Sequence, residues 1–176
     1  MTERIAATAE EAAKIAELMK APYPITLGSV AKALACDELT AAKKLPEDIV
    51  SFAKTEKEDW FDDLWAALAA WEKVTLFIIH DGHVFEIAGK LHAGKRMHGY
   101  YNILAKSAQI GGHIRYEGIK EAAFLEMPFM GRQSLSVAFF NEKGEVSFSV
   151  YAGRENHQII ESVKAAFAAD KARFCA

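Results

Sequence analysis

The sequence predicts an α+β domain, with helices before and after a large antiparallel β-sheet. Before residue 73, apolar residues recur with the 3.6-residue period of amphipathic helices. Between residues 74 and 151 they alternate with polar residues, as in half-buried strands joined in a meander of hairpins. Helical spacing returns over residues 156–174. Helices and strands segregated along the chain in this way are typical of the α+β class.

The N-terminal part, residues 1–50, is predicted to be helical. Its first helix starts at the capping box Thr8-Ala9-Glu10-Glu11 and stops before Pro22. Two short helical patterns follow at residues 27–34 and 39–44, and Pro46 closes the unit.

A packing helix is predicted over residues 57–72, with a second capping box that begins at Thr55. Large apolar side chains recur in it at i, i+3 and i+4, so one broad stripe is expected to be buried. The stripe contains Trp60, Phe61, Leu64, Trp65, Leu68 and Trp71.

Seven strands are predicted between residues 74 and 151, each bounded by turn residues. Asp81-Gly82 is a two-residue hairpin signal, and the segment 141–144 has the form of a longer hairpin loop. Because two terminal helices cover only part of such a sheet, a second copy of the chain or a flat ligand is expected to cover the rest. The strands are placed at 74–80, 83–89, 98–105, 112–118, 121–127, 133–140 and 145–151.

Length and composition indicate one soluble globular domain over residues 1–176. The net charge of −3 is spread over interleaved acidic and basic residues, so no nucleic-acid partner is expected. Cys36 and Cys175 stand far apart and suggest a reducing compartment. The sequence has no apolar stretch of about 18 residues and no signal-peptide pattern, so a cytoplasmic protein without membrane insertion is expected.

The Asp81-Gly82 turn fixes a register for the first hairpin. If these are its only loop residues, His80 faces His83, and Ile78 faces Phe85 on the same side of the sheet. Leu76 and Ile87 form the next pair on that side. Two imidazoles at the rim of an apolar face suit a metal or a hydrophobic pocket, but near a turn they are also compatible with solvated side chains that bind nothing.

A second group of imidazoles and phenols follows at residues 98–102 and 111–113. His98 and Tyr100 belong to the run His98-Gly99-Tyr100-Tyr101-Asn102, and Gly111-Gly112 precede His113 at the mouth of a strand. Taken on periodicity alone, the tyrosines are equally compatible with ordinary strand aromatics, one facing inward and one outward.

The order of these motifs resembles the haem-utilisation carriers of the ChuX/HutX family, from about residue 60 to residue 167. The segment before residue 60 is similar only loosely, as a helical unit that ends at Leu45-Pro46. The matching positions are Trp71, Val74-Thr75, His80, Phe85, Gly89-Lys90-Leu91, 98–102, Gly112-His113-Ile114, 129–132, Phe139-Phe140-Asn141, Gly144, Gly153-Arg154 and His157.

The resemblance implies an α+β fold like one half of the larger cytoplasmic haem-handling proteins, usually assembled as a homodimer. It implies a carrier that accepts imported haem as cargo and passes it to a haem-degrading enzyme, with no catalytic residues of its own. His80 and His113 match histidines implicated in haem binding, and Tyr100 matches a tyrosine proposed as an iron ligand.

The residues are chemically suited to that role. His80, His113 or Tyr100 supplies an axial iron ligand, with His98 as a further candidate and His83 and His92 as bystanders. Leu76, Ile78, Phe85 and Ile87 supply an apolar wall, and Lys90, Lys95, Arg96 or Arg115 could meet the propionates. A carrier releases its cargo, so one dominant ligand at an accessible cleft is expected.

Two other functions remain open from the sequence. The patterns at residues 25–34 and 36–46 have helix-turn-helix spacing, although the second segment pairs Lys43 and Lys44 with Asp37 and Glu38 and so offers little charge for DNA phosphates. The other is an enzyme that modifies or degrades haem. The sequence contains no dinucleotide, P-loop or Gly-x-Ser-x-Gly fingerprint for an enzyme.

Overall fold

The computed structural model of the chain describes residues 2–104, 106 and 108–175. Helices at both ends and a central antiparallel sheet confirm the predicted α+β class. No helix in the described ranges is long and apolar enough to cross a membrane. The helices are α1 (Ala9–Met19), α2 (Leu27–Leu34), α3 (Glu38–Lys44), α4 (Trp60–Ala70) and α5 (Glu161–Cys175).

The N-terminal helices follow their local signals closely. The capping box at Thr8 is confirmed, because its hydroxyl accepts a hydrogen bond from Glu11 N while the Glu11 carboxylate accepts one from Thr8 N. The second predicted capping box is wrong, since α4 begins at Trp60 and its N-cap, Asp59, makes no side-chain cap. In the helix-turn-helix-like segment, Lys44 pairs with Glu11 at 2.5 Å and is therefore not free for a phosphate.

The strands form one large sheet and three small ones. They are β1 (Val50–Phe52), β2 (Val74–His80), β3 (His83–Gly89), β4 (Lys95–Met97), β5 (Tyr100–Ile103), β6 (Gly112–Ile114), β7 (Ile119–Leu125), β8 (Pro128–Phe129), β9 (Arg132–Gln133), β10 (Ser136–Asn141), β11 (Val146–Ala152), β12 (Arg154–Glu155) and β13 (Gln158–Ile159).

The large sheet is antiparallel throughout, in the order β1-β7-β10-β11-β2-β3. The expected single meander needs correcting in one respect: the β2–β3 hairpin lies beside β11, and β4, β5 and β6 leave the large sheet to form their own. The strand predicted over 98–105 begins only at Tyr100 and ends at Ile103, because His98 and Gly99 form the turn that joins it to β4; residue 105 lies outside the described residues. Likewise, the strand predicted over 112–118 ends at Ile114, because residues 116–118 form a 3₁₀ turn.

Both faces of the large sheet carry apolar cores. On one face, α4, α5 and the small β4–β5–β6 sheet enclose Phe124, Phe139 and Val150, which are fully buried. On the other, helices α1–α3 pack over Ala123 and Phe140. Strand β3 is one of the two edges of this sheet; among the described residues it pairs with β2 alone, and it keeps most of its side chains exposed.

The C-terminal helix begins at Glu161, five residues later than residue 156 where the periodicity places it. The intervening residues form the hairpin β12–β13. Its two turn residues, Asn156 and His157, have φ values of 49° and 65°, which a helix cannot contain. A local turn therefore overrides the helical spacing here.

Candidate functional site

The β2–β3 hairpin has the register that its turn predicts. His80 pairs with His83, Ile78 with Phe85, and Leu76 with Ile87. Asp81 and Gly82 have φ values of 50° and 78°, as a two-residue type I′ turn requires. The residues that were expected to share one face therefore do so.

Burial falls along this hairpin from its base to its tip. Leu76 is 9% exposed, Phe85 is 55% exposed, and the His80 side chain is 79% exposed. The Nε2 atom of His80 lies 3.4 Å from the Asp81 carboxylate, the neighbouring exposed residue of the turn. His80 is thus available to a ligand, but little in the described structure holds its ring in one orientation.

The β4–β5–β6 sheet is fastened to α4 by polar contacts. Arg96 donates to Asp62 at 2.9 Å and to the Glu58 carbonyl at 2.8 Å, and the Trp65 indole donates to the His92 carbonyl at 3.0 Å. Tyr101 is buried beneath this sheet, and its hydroxyl accepts from Gly94 N at 2.8 Å. Burial raises the pKa of Tyr101, which keeps its hydroxyl neutral.

His98 and Gly99 form the turn between β4 and β5, and both have positive φ, 53° and 79°. This is a second two-residue type I′ hairpin, and it delivers Tyr100 to the start of β5 with 43% of the residue exposed. Tyr100, Asn102 and His113 share one face of the small sheet, while Tyr101 and Ile114 face the core.

Asn102 fixes the orientation and tautomer of His113. The residue is 7% exposed, and its Nδ2 donates to the carbonyls of Tyr100 at 2.8 Å and Met97 at 2.9 Å, with Lys95 at 3.4 Å. Its Oδ1 therefore points at His113 Nδ1, 2.6 Å away. Because Oδ1 can only accept, we assign the imidazole proton to Nδ1, and Nε2 keeps a lone pair for a metal ion.

Tyr100 stands beside this imidazole. The centroids of the two rings are 6.3 Å apart and their planes meet at 75°, an edge-on arrangement. The structure therefore brings together two of the three predicted iron ligands, His113 and Tyr100. Among the described residues, no ring contact or hydrogen bond joins either of them to His80.

An apolar cleft of ≈460 Å³ lies between the large sheet and the small one. Its volume is within the range of about 300–1,000 Å³ that is common for small-molecule sites. Of the predicted site residues, Ile78, His113 and Arg115 line it, together with Leu76 and Phe148. Within the described chain, His80, Phe85, Tyr100 and His98 are not part of its wall.

His80 lines a different cleft. This one has a volume of ≈630 Å³ and also contains Phe77, Ile79 and Tyr151. The two clefts share Ile78 and Phe148, and the alternation of β2 places His80 on the same face as Leu76 and Ile78, which line the apolar cleft. His80 lies beyond Ile78 at the exposed hairpin tip and is not part of the wall of the apolar cleft in the described chain.

The four basic residues proposed to bind the propionates differ in the contacts that they already make within the chain. Lys90 donates to the carbonyls of Ala70 and Trp71, and Arg96 is held by Asp62 and Glu58. Arg115 is exposed and lines the apolar cleft, so it is the best placed of the four. The described structure gives Lys95 no side-chain partner, but Lys95 lies outside the cleft lining.

Sequence reasoning overlooked Asn102 as a functional residue. It appears in the sequence only as the last member of the run from His98 to Asn102. A usable signal was present, because asparagine is depleted in strands and here stands between two apolar residues, Tyr101 and Ile103. A polar residue that is buried in this way must satisfy its hydrogen bonds, and Asn102 does so with three carbonyls and one imidazole.

Comparison with known proteins decides the family. The model of the haem-utilisation ChuX/HutX family matches residues 55–169. This chain belongs to that family. The match begins just before α4 and ends within α5, so it contains five of the six strands of the large sheet, the small sheet and the apolar cleft. The ChuX/HutX resemblance deduced from the motifs is confirmed.

Two members of the family have informative names. The intracellular heme transport protein HutX of Vibrio cholerae is 29% identical over 157 residues, which cover 89% of this chain and 80% of HutX. A solved structure of the heme-binding protein ChuX is 28% identical and matches with a TM-score of 0.75 over 89% of this chain and 96% of ChuX.

A larger protein shares the fold at lower identity. The heme-degrading enzyme ChuS of Escherichia coli O157:H7 is 15% identical and has a TM-score of 0.73, and the match covers 94% of this chain but 49% of ChuS. At this identity the likeness concerns the fold alone. It confirms the expectation that the chain resembles one half of a larger haem-handling protein.

Proposed function

We propose that this ChuX/HutX chain binds haem in the cytoplasm and carries it to a haem-degrading enzyme. Membership of the family supports the proposal, as do the transport and binding functions in the names of HutX and ChuX. The candidate ligands, the apolar wall and the basic residues of the sequence are chemically suited to the same role. The recipient enzyme is part of the proposal, and so is the cytoplasmic location.

One observation carries the proposal in the structure: the Nδ1 atom of His113 is held by Asn102 at 2.6 Å beside an apolar cleft. A histidine that binds iron through Nε2 normally donates its other N–H to such a partner, which fixes the ring and raises its basicity. We therefore favour His113 as the axial ligand, with Ile78, Leu76 and Phe148 against the porphyrin and Arg115 at a propionate.

Tyr100 is the second candidate, because its ring stands beside that of His113. It is 43% exposed, whereas Tyr101 is buried and its hydroxyl is occupied by Gly94 N. His113 is exposed where it lines the cleft, and a single ligand at such a site suits a carrier, because haem can leave without the fold opening. His80, 79% exposed at the hairpin tip, is better placed to touch haem during entry or exit than to anchor it.

Haemin titration of the purified protein tests binding. A Soret band should saturate at one haem per chain, and Tyr100→Phe should leave its position unchanged if His113 is the ligand. A blue-shifted band in Tyr100→Phe would instead assign the iron to the phenol. The absence of any saturable band in the wild-type protein would rule out the carrier.

The same complex separates a carrier from an enzyme. When the haem-bound protein is incubated with ascorbate in air, a carrier should keep its Soret band, and adding a haem-degrading enzyme should then consume it. Loss of the band with the protein alone, accompanied by release of iron, would show that this chain degrades haem itself.

We also propose a homodimer formed through strand β3. This edge strand exposes Val84 at 53%, Phe85 at 55% and Ile87 at 37%, and it has no partner beyond β2 in the described chain. Exposed apolar edges of this kind are ready to pair with another strand. Sedimentation should give twice the 19.4 kDa chain mass, and Val84→Lys should shift the protein to the monomer mass while Lys143→Gln does not.

A further inference from the structure

A third cleft, separate from the two described above, has several basic side chains in its lining. It has a volume of ≈570 Å³ and is built from the β8–β9 hairpin, the β12–β13 hairpin and the first turn of α5. We call it the basic cleft, defined by Arg132, Arg154, His157 and Lys164. Three of these four residues lie in the family motifs but take no part in the haem site.

The basic cleft lies at the start of β2, whereas the haem cleft is lined by residues from the middle of that strand. Arg154 follows Ala152, which pairs with Val74 at the first residue of β2, while Leu76 and Ile78 line the haem cleft. None of the residues that line the basic cleft also lines the apolar cleft beside His113. A ligand in one cleft therefore leaves the other open.

Arg154 is fixed in place by the backbone. One of its terminal nitrogens donates to the His157 carbonyl at 3.0 Å, and the other donates to the Gln133 carbonyl. These bonds hold the two hairpins together and use two of the five N–H groups of the guanidinium. The remaining donors belong to a side chain that is already oriented, so ligand binding does not incur the entropy cost of ordering it.

Glu161 is an acidic residue of the cleft lining, but it forms no salt bridge with the basic side chains there in the described structure. In the described part of the chain, no carboxylate lies within 4.0 Å of the charged nitrogens of Arg132, Arg154 or Lys164. Burial and the nearby charge of Arg132 both lower the pKa of Arg154. Two arginines that repel each other are stabilised when an anion binds between them.

We propose that the basic cleft binds a small oxyanion, held between the guanidinium groups of Arg132 and Arg154 with Lys164 beside them. Planar guanidinium groups match the geometry of phosphate and carboxylate oxygens, and charge-assisted hydrogen bonds of this kind are strong. The ligand is either a free phosphate or a carboxylate carried by a larger molecule. Its site is independent of the haem site.

Inorganic phosphate and succinate, titrated separately at constant ionic strength, test this proposal and distinguish the two sources. In protein labelled with ¹⁵N at its arginines, the Nε–H signals of Arg132 and Arg154 should shift and saturate with one of the two anions. Arg132→Gln should weaken this binding about tenfold or more, because a charge-assisted hydrogen bond is lost. Lys143→Gln, an exposed site in the β10–β11 turn, should not change it.

Arg154→Gln removes the contacts between the hairpins and can fail to fold, so Arg132→Gln is the deciding variant. Arg132 is exposed, and none of its side-chain atoms makes a hydrogen bond within the described structure, so its replacement leaves the fold intact. Shifts that never saturate with either anion would overturn the proposal. So would equal affinity in Arg132→Gln and the wild-type protein.

Discussion

Two regions of the molecule each contain a two-residue hairpin turn and a candidate histidine, but they hold the histidine differently. In the β2–β3 hairpin, His80 adjoins the Asp81-Gly82 turn and 79% of its side chain is exposed. In the β4–β5–β6 sheet, built around the His98-Gly99 turn, His113 is tied by Nδ1 to the buried Asn102.

The difference lies in what supports each histidine. His80 pairs with the edge strand β3, whose side chains face solvent. The small sheet that carries His113 is instead joined to α4 by hydrogen bonds of Arg96 and Trp65. A ligand that is already oriented loses less entropy when it binds a metal. The comparison therefore predicts that haem affinity depends on the small sheet, and that the hairpin contributes contact rather than ligation.

The largest effect is expected from His113→Ala. It should lower haemin affinity by at least about 100-fold, since removing a ligand should cost no less than the 10–100-fold typical for its orienting partner. Added imidazole should restore a Soret band by filling the vacated position. His83→Ala serves as the matched control at the hairpin and should bind like the wild-type protein, and equal losses in both variants would contradict the comparison.

Asn102 should rank next, with two separable effects. Asn102→Ala should lower haemin affinity about 10–100-fold, because the imidazole of His113 is then no longer held in one orientation. It should also lower the free energy of unfolding by about 1–3 kcal/mol, because three carbonyls lose their donor. Both quantities can be measured on one sample, by titration and by urea denaturation.

Asn102→Asp separates the two roles, because it keeps the acceptor that faces His113 and removes the amide donor. Its haemin affinity should exceed that of Asn102→Ala, while its stability should be no better. If the two variants lose affinity equally, Asn102 acts through the fold alone and does not orient the imidazole.

Gly94 should show a smaller effect, on stability first. A Cβ atom at this position would lie 2.5 Å from the Asn102 carbonyl oxygen, so Gly94→Ala must push β5 away. Overpacking of this kind costs about 1–3 kcal/mol. Gly111→Ala is the matched control, because its Cβ would meet the Ile103 carbonyl oxygen at 3.4 Å, and its stability should stay within about 0.5 kcal/mol of the wild-type value.

How far the sequence predicts these two regions depends on the range of the interactions. The β2–β3 register follows from Asp81-Gly82 because a two-residue turn acts locally, and α2 is predicted with its observed bounds for the same reason. The three-residue strand β1 was missed, because its pairing with Phe124 and its neighbours joins residues more than 70 positions apart. The pairing of β2 with β11 could not be predicted for the same reason, because it also joins residues more than 70 positions apart.

The candidate site shows the same limit. His113 and Tyr100 could be selected by residue type and by family resemblance, but their proximity depends on the pairing of β5 with β6. The role of Asn102 is visible only when its three carbonyl partners are in place. The sequence likewise grouped His80 with His113. The alternation of β2 does place His80 on the face of Leu76 and Ile78, but at the exposed hairpin tip it lies outside the wall of the apolar cleft.

His80→Ala should have the smallest effect and is the sharpest test of the comparison. Its side chain is 79% exposed, so the free energy of unfolding should stay within about 0.5 kcal/mol of the wild-type value. Haemin affinity should change little, while the rate of haem transfer to an acceptor such as apomyoglobin should change, because we propose that His80 contacts haem during entry or exit rather than in the bound state. Stopped-flow transfer and equilibrium titration measure these two quantities separately. If His80→Ala instead lowers the affinity as much as His113→Ala, an exposed and freely rotating histidine ligates iron as well as an oriented one. The bond from Asn102 to His113 would then serve only to hold β5 against β6.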